Sequence, residues 1–252
     1  MQNYLTIKEK IKNFKKTILV SGDKSISIRW VLFASLANGI SRARNLLISE
    51  DVTTAIQAVK KLGIKTIYRN KEFIIYGKGI SGFKYKKNLV INSGNSATLG
   101  RLLLGLLINS NHKIKLIGDK SLSKRDFKRI SDPLSKFGAK FKLTRNKYLP
   151  LTVKGVPNLK SIKYFEDRGS AQCKSAVIFG GMRSNGNTVI KAKKSRNHTE
   201  LLSKYLKLPL IIKKKKNYDE ILVTKVRSIK PFNYNIPSDI SSSAFFIILT
   251  VL

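Results

Sequence analysis

The sequence predicts an α/β protein in which similar β/α units repeat around an axis, with helices inside and sheets outside. Three observations carry this reading. Serine-containing, small-residue starts precede apolar segments at Ser25, Ser96, Ser170 and Ser241, spaced 71, 74 and 71 residues apart. Each of the first three is followed by a turn, a β-rich segment, a second helix and another short strand. The serine-led segments are also almost wholly apolar, as in Val31–Ala34, Leu102–Ile108 and Ala176–Phe179, and a helix apolar all round belongs in an interior. A period above seventy residues exceeds solenoid repeats of about 20–45 residues, so the units are expected in one compact α/β domain.

Taken in order, Ser25–Arg29 leads into a helix through Trp30–Ala37, then a strand over Arg42–Leu47 and a helix over Asp51–Leu62. Ser96–Thr98 leads into Leu99–Leu107, then a strand over Lys113–Ile117 and a helix over Lys124–Phe137. Ser170–Gln172 leads into Cys173–Gly180, then a strand over Thr188–Ala192 and a helix over His198–Leu206. Ser241–Ser243 begins a fourth unit at Ala244–Leu252 with no C-cap, turn or strand after it, so the chain reads as three units and a fourth cut in mid-helix.

The chain has 252 residues and a net charge of +36, from 50 Lys and Arg against 14 Asp and Glu. Such an excess raises nucleic acid as a partner. The lysines are spread over every segment, however, with one compact run at Lys213–Lys216, and no basic stripe is interleaved with aromatic residues as single-strand binding requires. The charge therefore reads as compositional, and nucleic acid is not expected. The single cysteine, Cys173, rules out an internal disulfide framework and fits a reducing cytoplasm. No signal peptide is recognisable. The longest apolar run, Ala244–Leu252 with one threonine, is too short to cross a bilayer.

The segment Ser21–Arg29 places Lys24, Ser25 and Arg29 around a helix start, where free N–H groups and the helix dipole favour a phosphate or carboxylate. Arg29 and Arg101 fall in or beside apolar helices, where an unpaired cation is costly, so a bound anion is the expected partner. Plainer roles are equally open for several side chains. A Lys-Ser pair before a helix is ordinarily a solvated first turn, and Arg125 lies among Lys120, Lys124, Lys128 and Arg129 as a surface charge. Lys174 can snorkel from its helix, His198 can be structural, and Cys173 can pack as a small apolar side chain.

The ordered motifs resemble the 5-enolpyruvylshikimate-3-phosphate synthase family. They are Gly22–Arg29, Gly94–Arg101, Gly118–Arg125, Ser170–Ser175, Ser195–Glu200 and Pro237–Ser242. The resemblance implies the enolpyruvyl transferase fold, an inside-out α/β barrel of βαβαββ units in two domains. Residues 1–21 would form a strand of the second domain, 22–236 the first domain and 237–252 the start of the second. The implied reaction transfers the enolpyruvyl group of phosphoenolpyruvate to the 5-hydroxyl of shikimate 3-phosphate and releases phosphate. It calls for no metal or organic cofactor, no membrane or nucleic-acid partner, and a monomer at full length.

The resemblance further implies that Lys24 lies between the substrates. Ser25, Arg29, Ser170, Ala171, Gln172 and Arg196 would bind shikimate 3-phosphate, and Ala97, Arg125 and Gln172 would face phosphoenolpyruvate. Asn95, Thr98, Arg101, Lys174 and Ser195 would give support. The carboxylate and lysine that move protons belong to the second domain, so a substrate-binding half without turnover is a standing alternative. A related transferase acting on UDP-N-acetylglucosamine is another. Sensitive members carry glycine where Ala97 stands, which implies low glyphosate sensitivity. Ile28, Asp126 and Ser238 depart from the family pattern of His or Asn, Pro and Gly, and the last two leave loop geometry open.

Overall fold

The computed structural model describes residues 17–251. The first unit runs α1 (Lys24–Leu36), β1 (Asn38–Arg44), α2 (Glu50–Lys61), β2 (Lys65–Arg69) and β3 (Glu72–Lys78). The second runs β4 (Leu89–Asn92), α3 (Ala97–Leu107), β5 (Ile114–Ile117), α4 (Lys120–Ser123), α5 (Lys128–Ser135), β6 (Lys140–Thr144) and β7 (Tyr148–Lys154). The third runs β8 (Lys163–Glu166), α6 (Ala171–Gly181), β9 (Thr188–Lys193), α7 (His198–Tyr205), β10 (Leu210–Lys214) and β11 (Tyr218–Val223). β12 (Asn233–Asn235) and α8 (Ile240–Val251) follow. Among the described residues no helix is long and apolar enough to cross a membrane.

The units build three four-stranded sheets of one design, β12-β1-β3-β2, β4-β5-β7-β6 and β8-β9-β11-β10. In each, one parallel pair is extended by an antiparallel hairpin. β12 occupies in the first sheet the place that β4 and β8 occupy in theirs, with Arg42 opposite Asn233. The strand that leads into α8 thus completes the first sheet. Where the chain enters and leaves this ring, Gly22 bridges Ser238, and Asp23 N donates to Pro237 O at 2.8 Å. A Cβ on Gly22 would collide with the Asn45 carbonyl, so this crossing needs glycine. Ser238, one of the family departures, donates its hydroxyl to Val20 O at 3.0 Å and helps to tie the crossing.

The serine-led helices form the interior, as their composition dictates: α1, α3 and α6 are buried along nearly their whole length. Phe33 of α1 meets Phe179 of α6 with ring centroids 5.0 Å apart. Ile28, the second departure, is buried in this core. α3 and α6 approach closely because Gly105 faces Ala176, whose Cα lies only 3.0 Å from where a Cβ would be.

Two local expectations need correction. The first strand spans Asn38–Arg44 rather than Arg42–Leu47, because β3 pairs from Asn38 onward and Asn45 turns into positive φ. The helix expected over Lys124–Phe137 is shortened to α5, Lys128–Ser135, and a separate short helix, α4, precedes it at Lys120–Ser123. Asp119 caps α4 through Leu122 N at 2.6 Å, and Phe127 N bonds instead to Lys147 O at 2.8 Å. Asp126, the third departure, then accepts from Lys128 N at 2.8 Å and Arg129 N at 3.3 Å. An aspartate at this start supplies the cap that an uninterrupted helix would not need.

Candidate functional site

The repeat brings the N-termini of α1, α3 and α6, with that of α7, to one end of the interior. Each of the three long helices is capped by a side-chain oxygen: Asp23 to Ile26 N at 2.7 Å, Ser96 to Leu99 N at 3.3 Å, and Ser170 to Cys173 N at 3.3 Å. The caps of α3 and α6 are neutral and their first turns hold no acid, so the positive ends of their dipoles stay uncompensated. Between the ends lies a cavity of about 210 Å³ lined by Ser25, Arg29, Thr98, Ser170, Ala171, Gln172, Arg196 and His198.

Arg29 is held at the back of this cavity. Its Nε donates to Thr199 Oγ1 at 2.7 Å, one terminal nitrogen to Ser25 O at 2.9 Å and the other to Ser175 Oγ at 3.2 Å. Burial outweighs the nearby Glu200 carboxylate and lowers its pKa to about 10, so it remains a cation at neutral pH. Three of its five N–H groups are used in fixing it, and two remain for an incoming acceptor.

A second arginine fixes Gln172. Arg101 donates to Gln172 Oε1, so the amide nitrogen must face the other way, where it donates to Thr98 Oγ1 at 3.0 Å. Because a guanidinium only donates, Arg101 decides which end of the amide is which. Arg101 also reaches Asp126 O at 3.2 Å and lies over the Phe127 ring. Burial, followed by the Arg129 charge, lowers its pKa.

The sequence-predicted residues divide cleanly. Ser25, Arg29, Ser170, Ala171, Gln172 and Arg196 line the one cavity. Of the set expected to face phosphoenolpyruvate, Gln172 alone lines it. Lys24 is half exposed, with its ammonium 3.3 Å from Asp51 on α2. Ala97 is buried in the first turn of α3, while Asn95 and Arg125 are exposed on neighbouring loops. Ser195 is partly buried, with no partner for its hydroxyl among the described residues. Lys174 does not snorkel. It is fully buried, 2.6 Å from the Glu200 carboxylate, which is 3% exposed.

Two residues carry more than the sequence suggested. His198 lines the cavity, and burial together with the Arg29 charge lowers its pKa below the usual 6.5. Its place in the first turn of α7 was the available signal. Arg129 is not a solvated surface charge: its terminal nitrogen donates to Ser170 Oγ at 2.6 Å and its Nε to Cys173 Sγ at 3.3 Å. Cys173 does pack as a buried side chain.

Among the described residues no cluster of three or more His, Cys, Asp or Glu stands ready to hold a metal ion. The cavity offers cations, hydroxyls, an amide and helix N-termini. That donor set suits an oxyanion.

The family model described as EPSP synthase (3-phosphoshikimate 1-carboxyvinyltransferase) matches residues 8–252. The chain belongs to the EPSP synthase family. It is 40% identical over 245 residues to the 3-phosphoshikimate 1-carboxyvinyltransferase of Caldicellulosiruptor bescii, covering 96% of this chain and 55% of that protein. With the protein of the same name from Oenococcus oeni it shares 37% identity over 253 residues, covering 100% of this chain and 56% of the relative. The solved EPSP synthase of Acinetobacter baumannii superposes with a TM-score of 0.84 at 33% identity, covering 92% of this chain and 52% of that one. The fold is thus that of the EPSP synthases, and the chain spans about half the length of the relatives it matches.

Proposed function

We propose that this chain supplies the shikimate 3-phosphate half of a 3-phosphoshikimate 1-carboxyvinyltransferase. The observation that supports this most directly is the cavity itself. Six residues expected to bind one phosphorylated substrate, from segments as distant as Ser25 and Arg196, line a single space of about 210 Å³. Arg29, Arg196 and the α6 N-terminus are suited to the phosphate, and the oriented Gln172 amide and the Thr98 hydroxyl to the ring oxygens.

In this reading the 5-hydroxyl gives up its proton and attacks C2 of phosphoenolpyruvate while C3 takes a proton. The tetrahedral intermediate then loses a proton from C3 as phosphate leaves C2, which restores the C2=C3 double bond. Both substrates are polyanions, and their mutual repulsion is the electrostatic obstacle. Lys24, at the helix start, would leave Asp51 to lie between them, and Arg125 would bring a mobile guanidinium to the second phosphate. We assign residues 22–236 to the substrate-binding domain, and 1–21 and 237–252 to a second one. The paired crossing at Gly22 and Ser238 supports that boundary. The single cysteine fits the cytoplasm as the compartment.

Isothermal titration of the 252-residue chain with shikimate 3-phosphate tests the proposal, with Arg29→Met as the control. Saturable binding lost in the variant is the expected result, and absence of binding at millimolar ligand refutes it. A phosphate-release assay with both substrates then separates a complete activity from a binding half without turnover.

A further inference from the structure

Ser170 carries a constraint on its hydroxyl that the cavity alone does not require. A serine hydroxyl has two acceptor positions and one proton. Both acceptor positions of Ser170 Oγ are occupied from behind, one by Cys173 N of its own helix at 3.3 Å and the other by the Arg129 guanidinium at 2.6 Å. Its backbone is fixed as well, since Ser170 N donates to Glu166 Oε2 at 2.6 Å. The hydroxyl proton has no acceptor among the described residues, and Ser170 lines the cavity.

We propose that Arg129 is a positioning residue that makes the Ser170 hydroxyl an obligate donor, and so selects a ligand presenting a bare acceptor such as a phosphate oxygen. The inference rests on the reading of this cavity as the shikimate 3-phosphate site. Arg129 does not line the cavity and acts through Ser170. Its own fork is braced by Cys173 Sγ at 3.3 Å, so the guanidinium is held by two contacts at a fixed angle. An unengaged serine rotates to donate or accept with equal ease, and accepts from ligand hydroxyls as readily as it donates to phosphate. Arg129 removes that second option. Arg101 acts in the same way on Gln172, which makes donor orientation a shared property of the α6 N-terminus.

A double-mutant cycle on the 252-residue chain tests this, with Arg129→Met, Ser170→Ala and the pair titrated with shikimate 3-phosphate. Loss of one charge-assisted hydrogen bond predicts about a tenfold weaker Kd for each single variant. If Arg129 acts through Ser170, the pair is also weakened only about tenfold, because the second change removes nothing further. Losses that multiply to about a hundredfold overturn the inference, since Arg129 would then act as an independent cation. So does an unchanged affinity in Arg129→Met. Arg129→Lys keeps the charge and one donor, and is expected to stay within about threefold of the parent. A tenfold loss there overturns the inference even if Arg129→Met fails to fold. Failure of the unaltered chain to bind overturns the functional reading, and this inference with it. Binding with multiplicative losses overturns this inference alone.

Discussion

Glu200→Gln isolates the most consequential buried charge in the protein. Lys174 and Glu200 lie 2.6 Å apart at 0% and 3% exposure, between the core helix α6 and the rim helix α7. The substitution keeps the shape of the side chain and removes its charge. The Lys174 ammonium is then left without a carboxylate, and Arg29, which Glu200 also stabilises as a cation, loses its largest favourable charge. Breaking a buried pair on one side costs about 3–5 kcal/mol. The ceiling is set by neutralising an ordinary lysine at pH 7, about 4.6 kcal/mol. The structure favours the upper part of that range, because a second buried cation shares the lost partner. For a chain of this size that corresponds to a fall in Tm of about 10 °C. Urea titration followed by the fluorescence of Trp30, the sole tryptophan and fully buried, measures it. The paired change of Lys174→Met with Glu200→Leu removes both charges and is expected to restore the parent stability or exceed it. A loss below 1 kcal/mol in Glu200→Gln, or a double variant no better than the single, refutes the reasoning.

Gly105→Ala is expected to destabilise despite a gain of about 1 kcal/mol in helix propensity. The added methyl meets Ala176 backbone atoms, two of them at 3.0 Å, and forcing α3 from α6 costs about 1–3 kcal/mol or more. A raised urea midpoint would show that the helices are not in contact there. His198 titrates below the usual 6.5 in the folded protein because of burial and Arg29. The unfolded chain therefore binds more protons in that window, and stability falls as pH drops below about 6.5. A phosphate beside His198 reverses the penalty, so binding shikimate 3-phosphate near pH 6 takes up protons. Calorimetry in buffers of different ionisation enthalpy measures this, and equal uptake in His198→Gln would sink the assignment. Ala97 is 7% exposed, and if it faces phosphoenolpyruvate, as the family resemblance implies, its methyl would crowd a longer ligand. An active preparation carrying Ala97→Gly should be inhibited by less glyphosate than its parent, and equal inhibition curves would reject the role.

The repeat made the interior helices legible, because an all-round apolar helix has one place to go. The lining of the cavity was legible too, since N-cap serines and the arginines beside them are close in sequence to the helix starts they serve. What escaped depended on partners far apart in the chain. Lys174 was as consistent with snorkelling as with burial until Glu200, 26 residues on, was seen beside it. Arg129 stood out only as one of the basic neighbours of Arg125, because its partners, Ser170 and Cys173, lie in the next unit. The late start of α5 turns on the Phe127 amide finding Lys147 O in the turn between β6 and β7, and helical periodicity carries no record of that bond.

The completion of the first sheet by β12 has a consequence for how the protein is made. Arg42 in β1 is paired with Asn233, so the edge that β1 presents on emerging from the ribosome must wait while about 190 residues are added. At about 5–20 residues per second the wait is roughly 10–40 s. Throughout it, an unpaired strand edge is available to any other nascent chain. The exposed side of β1 carries Arg42 and Arg44, charges that disfavour such pairing. Of the three described sheets the first to begin is therefore the last to be finished, and its arginines guard it until then.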